Sequence, residues 1–470
     1  MNRVAFFSPL PPETSGIADY SAELLPALAH HLELEVFTAD PRATASLLSE
    51  RLPLRAFSEF VGCDQDRRYD AVIYQIGNSA VHHGAIYRQL LARPGIVVLH
   101  EYMLHNLIRD LALAGTGRAE FIEEMRYCYG TTGSAMAGRL LHANNLPEMW
   151  SYPLFERIVD CAQGLIVHSR TTRDRVLASR PTARIDLVPH HLSLSGFDSA
   201  DRVEESAIED RRVLLAAHGI DPAAFVVASF GHLTASKHLD VSLEAFATFR
   251  LSHPAAVYLL VGEISEAYPR LREMLEGELG HGVVTTGRVS LDDLQRYMAA
   301  CDVAVNLRYP TGGETSGACL RLLGHGRPTI VSDVGWFSEI PSSCCARVAS
   351  GSHEAAEIAA LLGALAGNET LRTALGANAA EWAAECHRLA DSARGYADVV
   401  ARSIDDPPEP YRPSPPLAAA PPDLAVSLIE AISAGLGDLG LTEEDSIAHQ
   451  VVAEALVDLD LDFEPPATGQ

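Results

Sequence analysis

The chain has 470 residues, about three times an ordinary single-domain length, which excludes a small disulfide scaffold and predicts two or more domains with large buried cores. With 47% hydrophobic and 21% charged residues, and no apolar run long enough to span a bilayer, it reads as a soluble globular protein without an integral membrane segment. A net charge of −26 repels nucleic-acid phosphates and anionic lipid headgroups alike, so nucleic acid is not an expected partner.

Met1-Asn2-Arg3 leads straight into Val4–Ser8 and then proline-rich sequence, too short an apolar run for a secretory signal, so a cytoplasmic location is expected. The eight cysteines show no CxxC pair and no metal-ligand spacing with histidine, which predicts reduced thiols and no metal site. Of the thirty-six basic residues, thirty-five are arginine and one, Lys237, is lysine. A chain that has exchanged lysine for arginine nearly everywhere retains one compact ammonium, which marks that position for attention.

The segments Arg3–Ser8, Leu34–Phe37, Tyr69–Ile76, Gly95–His100, Gly164–Ser169 and Ile185–Pro189 are short, β-branched or aromatic, and alternate with helix-periodic stretches. After an acidic, polar passage around Ser193–Asp210 the alternation restarts at Phe225–Phe230, Val257–Val261, Val283–Thr286, Val303–Leu307 and Thr329–Ser332. Two successive Rossmann-like α/β units with parallel strands are predicted, and a ligand is expected at the carboxyl ends of their strands, in the cleft where they face. The expected boundaries are 1–195 for the first unit, with a returning helix at about 386–404, and 210–385 for the second. Eight prolines in 405–422 predict an extended linker. The tail 423–470 has helical spacing at Asp423–Ser433 and Thr442–Val457, and the stretch from Asp405 onward carries fourteen acidic residues against one arginine. Its apolar stripe either packs back on the body or mediates protein contact or oligomerisation.

Four motifs follow predicted strands. Pro11-Pro12-Glu13-Thr14-Ser15-Gly16 is a strand-to-helix turn whose glycine lets backbone N–H groups approach a phosphate or sugar, or serves the turn alone; it lacks GxGxxG, which argues against a dinucleotide. Gly77-Asn78 with His82-His83, and His100-Glu101, put polar rings at the carboxyl edge of the first sheet. Gly231-His232-Leu233-Thr234-Ala235-Ser236-Lys237 places the lone lysine between a strand and a helix, where a phosphate would gain both ammonium and helix-terminal N–H groups. The densest cluster is Arg308-Tyr309-Pro310-Thr311-Gly312-Gly313-Glu314-Thr315-Ser316-Gly317. Its glycines and hydroxyls at a helix start suit a diphosphate, while Glu314 would repel one and must face a neutral, hydroxyl-rich group such as the sugar of a nucleotide sugar.

Together with Gly326-Arg327-Pro328 and Val331–Trp336, these residues make the chain similar to retaining glycosyltransferases of family four over about residues 1–400, and most like the branch that builds bacterial surface glycans. The resemblance implies the GT-B fold and transfer of a hexosyl unit from a nucleoside diphosphate sugar, UDP or GDP undecided, to a glycan, lipid-linked or small-molecule hydroxyl. It implies catalytic roles for His100 near the reacting centre, Lys237 on the diphosphate and Glu314 on the transferred sugar. Gly16, His232, Thr315, Ser316 and Gly317 would contact the donor, and Asn78 and His82 the acceptor or sugar. No cofactor and no metal are implied. The family's second glutamate, which holds the ribose, falls on Leu322 or Arg321, and its arginine before the lysine is His232. No carboxylate pair serves as acid and nucleophile, so front-face transfer is expected. Two other readings use the same residues: a sugar-nucleotide epimerase, and a non-catalytic scaffold acting through its tail.

Overall fold

A computed structural model describes residues 1–46, 48, 52–64, 68–115, 117–142, 147–194 and 204–407. The expected tail helices, and all but the first three residues of the expected linker, lie outside these. The described residues form two compact units, one of Met1–Gly77, Val81–Tyr102 and Ala162–Pro407, the other of Asn78–Ala80 and Met103–Cys161.

The first unit holds two parallel sheets. Strands β1 (Arg3–Phe7), β2 (Glu33–Thr38), β3 (Leu54–Ala56), β4 (Ala71–Ile76), β5 (Ile96–Leu99), β6 (Gly164–Val167) and β7 (Ile185–Leu187) are ordered β3-β2-β1-β4-β5-β6-β7. Strands β8 (Val226–Phe230), β9 (Val257–Val261), β10 (Val283–Gly287), β11 (Val303–Asn306), β12 (Thr329–Ser332) and β13 (Ala346–Val348) are ordered β10-β9-β8-β11-β12-β13. Every expected strand is present, most of them one or two residues shorter than predicted. Two were not expected: β3 and β13 are three-residue edge strands, too short for an alternating pattern to register.

Both sheets are doubly wound. The chain runs outward through β2 and β3 and returns to place β4 beside β1; likewise it runs out through β9 and β10 and returns to place β11 beside β8. The gaps between β1 and β4 and between β8 and β11 are therefore the points where adjacent connections diverge, and loops leaving these four strands have room for a ligand. Residues Val4 and Phe6 face a core shared with helix Gly16–Leu28 and with helix Leu389–Asp405, whose Tyr396, Val399 and Val400 are buried there. The Tyr20 and Tyr396 hydroxyls meet at 2.8 Å inside that core. This returning helix reaches Asp405, one residue into the stretch expected to be linker. On the opposite face Phe7 stacks on Phe37 at 4.8 Å and meets Phe60 edge-on.

The second unit is helical and was not foreseen as a separate body. It contains helices His105–Ala114, Arg118–His142 and Glu156–Cys161, the longest of them broken at Gly130, where φ is 63°. Its buried Glu124 pairs with Arg157 at 2.5 Å, and burial still raises the carboxyl to about 7 against that pull.

Candidate active site

The β8 exit is shaped by backbone proximity. Gly231 has φ 87°, and a Cβ on Gly262 would lie 2.0 Å from the Gly231 carbonyl oxygen, so β9 tolerates only glycine where the β8 loop crosses its end. That loop closes as a single 3-10 turn, Ala235–Lys237, which folds Lys237 back over its own strand so that Nζ donates to the Phe230 carbonyl. Burial drives the ammonium down to about 7; the Arg308 guanidinium pushes the same way and Glu314 opposes both.

Strand β11 pairs directly with β8, so its exit loop lies alongside, and the Tyr309 N–H donates to the Ser236 carbonyl at 2.8 Å. Arg308 is anchored through its backbone N–H to Ser332 Oγ at 2.9 Å, and its Nη1 donates to Ser236 Oγ at 3.1 Å. Its Nε lies 2.6 Å from Glu314 Oε1. Glu314 Oε2 accepts from the Gly312 N–H at 2.8 Å and the Thr311 hydroxyl at 3.1 Å. Lys237, Arg308 and Glu314 thus form one charged group at the strand gap. Arg308 was not among the residues singled out from the sequence for a role. The position expected to supply the second cation, His232, is exposed.

The remaining residues expected to contact a donor continue into helix Gly317–Gly324. Ser316 is its N-cap, with Oγ accepting from the Cys319 N–H at 3.2 Å, which leaves its own O–H able to donate. Thr315 Oγ1 is buried without a protein hydrogen-bond partner. Neither expected ribose position can accept from a hydroxyl. Leu322 is fully buried in the core, and Arg321 bonds through Nη2 to Glu23 Oε1, on helix Gly16–Leu28, at 2.7 Å.

Around the first sheet, Ser15 caps helix Gly16–Leu28 through a 3.3 Å bond from the Ile17 N–H, and open space lies where Gly16 would carry a Cβ. His82 Nδ1 meets Glu13 Oε2 at 2.8 Å, tying this loop to helix Ala80–Ala92. His100 follows β5 directly, with its Nε2 on Gln75 Oε1 at 2.7 Å, and it packs edge-on against Tyr20 and beside His168. Burial, reinforced by His168, pushes His100 well below the ordinary imidazole range, so at neutral pH it is an uncharged ring with its Nε2 proton committed to Gln75. Asn78 belongs to the helical unit, where its Oδ1 accepts from the Leu107 N–H at 3.0 Å.

The glycine-rich loop is held by Tyr102, in the loop after β5, and by Thr172, in helix Arg170–Ser179. The Tyr102 N–H donates to the Gly312 carbonyl at 2.8 Å, the Tyr102 hydroxyl to the Thr311 carbonyl at 3.2 Å, and the Thr172 hydroxyl to the Gly313 carbonyl at 2.7 Å. At the β10 exit a cavity of about 430 Å³ is lined by Asp19, Arg288, Val289, Ser290, Leu291 and Leu294. Burial raises the Asp19 carboxyl above its ordinary value, against the pull of Arg321.

The eight cysteines are free thiols. Among the described residues no cluster of three His, Cys, Asp or Glu side chains could hold a metal, and no helix is long and apolar enough to cross a membrane.

Residues 224–368, which carry β8 to β13, match the family described as glycosyl transferases group 1. No curated protein matches the sequence. Among solved structures, HepE from Anabaena in complex with UDP superposes with a TM-score of 0.59 at 16% identity, covering 85% of this chain and 99% of that one. Sucrose-phosphate synthase from Thermosynechococcus elongatus gives 0.60 at 16%, covering 86% and 100%. WaaG, a glycosyltransferase involved in lipopolysaccharide biosynthesis, gives 0.56 at 16%, covering 84% and 99%. The chain therefore has the GT-B fold, and its second sheet is built on a stretch that matches the group 1 glycosyl transferases.

Proposed function

We propose that the protein is a retaining glycosyltransferase, which moves a hexosyl unit from a nucleoside diphosphate sugar to a hydroxyl of a glycan, lipid-linked or small-molecule acceptor. The observation that carries this reading is the meeting of Lys237, Arg308, Glu314 and the start of helix Gly317–Gly324 at the gap between β8 and β11, inside the stretch that matches the family. The Anabaena HepE structures contain UDP or UDP-glucose, which supports a nucleotide-sugar donor here. A part in surface glycan or glycoconjugate synthesis rests on the sequence resemblance.

In this scheme residues 210–385 hold the donor, and residues 1–195 with the returning helix present the acceptor. As the bond from the anomeric carbon to the phosphate oxygen breaks, negative charge grows on the diphosphate, and Lys237 with the N–H groups from Gly317 onward is preorganised to meet it. The acceptor oxygen bonds to the same face of the anomeric carbon, and its proton passes to the departing phosphate oxygen. These fixed charges do the neutralising, so the reaction needs no metal. Glu314 accepts from the sugar hydroxyls, and neutral His100 lies against the sugar as a hydrogen-bonding wall.

The cavity at Arg288–Leu294 takes the nucleoside. Strand β10 is two places from β8, roughly 10 Å at sheet spacing, which suits the reach from a diphosphate to its base. Asp19 supplies the ribose acceptor that Leu322 and Arg321 cannot. The direct test incubates the protein with UDP-, GDP-, ADP- and dTDP-hexoses and simple alcohol acceptors, then reads the anomeric configuration of any product by NMR. A glycoside of unchanged configuration supports the reading; an inverted glycoside, or an epimerised donor formed without acceptor, refutes it.

A further inference from the structure

The charged group at the strand gap poses an electrostatic difficulty. A diphosphate arriving at Lys237 meets, within the same cluster, the carboxylate of Glu314, and like charges at such range in a partly buried site repel strongly. The cation standing between them is Arg308, and its attachments are unequal. Its backbone is fixed to Ser332 and its Nη1 to Ser236, in the same turn that carries Lys237. Its contact with Glu314 is close, at 2.6 Å, yet Nε is buried without a hydrogen-bond partner, so the N–H is not directed at the carboxylate. The guanidinium is thus hydrogen-bonded on the lysine side and held on the glutamate side by a close charge contact without a directed hydrogen bond.

Glu314 is divided in the complementary way. Oε2 is fixed by the Gly312 N–H and the Thr311 hydroxyl, so the carboxylate stays in place whatever Arg308 does. Oε1 has Arg308 as its close partner and could accept a hydroxyl proton once that cation turns away. His232, the other basic group of the β8 loop besides Lys237 and the following His238, is exposed, whereas Arg308 reaches that loop through Ser236.

Resting on the donor-site reading above, we propose that Arg308 is the second phosphate-binding cation of this protein and that it exchanges partners on donor binding, leaving Glu314 Oε1 for the diphosphate and releasing that oxygen to the hydroxyls of the transferred sugar. The exchange couples the two halves of donor recognition. Bare nucleoside diphosphate must break the Arg308–Glu314 pair without return, whereas the sugar-linked form refills Oε1.

The test is a double-mutant cycle by calorimetric titration, using whichever of UDP, GDP, ADP and dTDP the wild type binds most tightly, together with its glucose conjugate. Arg308→Gln should weaken the bare nucleotide about 10- to 100-fold, the range for losing one charged hydrogen-bonding partner. Glu314→Gln, which no longer detains Arg308, should bind the bare nucleotide about tenfold more tightly while losing its preference for the sugar-linked form. In the Arg308→Gln background that gain should vanish. Arg308→Lys should recover part of the affinity, and thermal melts identify any variant that has not folded. Wild-type affinity in a folded Arg308→Gln protein, or an undiminished Glu314→Gln gain in its background, would overturn the exchange and leave the donor site standing. A wild type that binds none of the four nucleotides would overturn the donor-site reading itself, and the exchange with it.

Discussion

Lys237 holds a charge that its surroundings do not favour. Burial lowers its ammonium to about 7 and Arg308 adds repulsion, so the free protein loses that proton as pH rises through neutrality. A bound phosphate favours the charged form and raises the pKa again. Binding must therefore take up a proton above pH 7, and affinity for the nucleotide should fall as pH climbs from about 7 to about 9. Titration at about pH 8 in buffers of different ionisation enthalpy should show net proton uptake; affinity and proton count that do not change with pH would contradict this account of the lysine. Asp19 permits a second test at the same scale. Asp19→Asn removes the one carboxylate that lines the Arg288–Leu294 cavity among the described residues, and should weaken nucleotide binding about tenfold while leaving inorganic pyrophosphate unaffected. Equal losses for both ligands would remove Asp19 from the ribose.

At the scale of elements, the glycine-rich loop is positioned by what it lies against. Gly313 has φ 84°, and a Cβ there would sit 2.3 Å from Tyr102 Cδ1 and 2.8 Å from Thr172 Oγ1. Gly313→Ala should therefore displace Glu314 and reduce turnover about tenfold or more. Adding Tyr102→Ala should restore part of the loss, because the ring clash goes while the backbone strain remains; no recovery in steady-state rates would mean that Tyr102 does not set the loop. This dependence could not be read from the sequence, since Tyr102, in the loop after β5, and Thr172, in helix Arg170–Ser179, lie more than 140 residues from the loop they hold. The four strands flanking the gaps were legible because each is a short apolar run followed by polar or glycine-rich residues, and the loops after them, including Lys237 and Glu314, were legible for the same reason. Arg308 was hidden by composition: in a chain with thirty-five arginines, one more at a strand end carries no signal, whereas the lone lysine does. Edge strands β3 and β13 were too short to show a period, and the sequence did not show that Ser316 Oγ caps helix Gly317–Gly324.

Within the unit that holds both sheets, a few polar contacts join one sheet's elements to the other's. Glu339 accepts from the backbone N–H groups of Arg170 and Thr171 at 3.0 and 2.7 Å, at the start of helix Arg170–Ser179. Glu23 bonds to Arg321 and, at 3.3 Å, to His191 Nε2. Burial pushes the Glu23 carboxyl up, but His191 and Arg321 outweigh it and hold it below its ordinary value. Its stabilising contribution is therefore complete above the unfolded value and fades as pH falls through the folded one. Glu23→Gln leaves Arg321 and His191 facing a neutral amide and should cost about 3 kcal/mol in urea unfolding at neutral pH, and progressively less as pH falls below the ordinary carboxylate range. A cost that does not change with pH would show that shape, not charge, matters there. The central proposal is that a nucleoside diphosphate sugar binds where β8 and β11 part. The most direct measurement is calorimetric titration of wild type and Lys237→Ala with UDP, GDP, ADP and dTDP, followed by turnover of the matching sugar nucleotide. The account predicts that one nucleotide binds the wild type, that the variant binds it far more weakly, and that turnover falls about 100- to 1,000-fold. Nucleotide binding and turnover that survive the loss of Lys237 would contradict it.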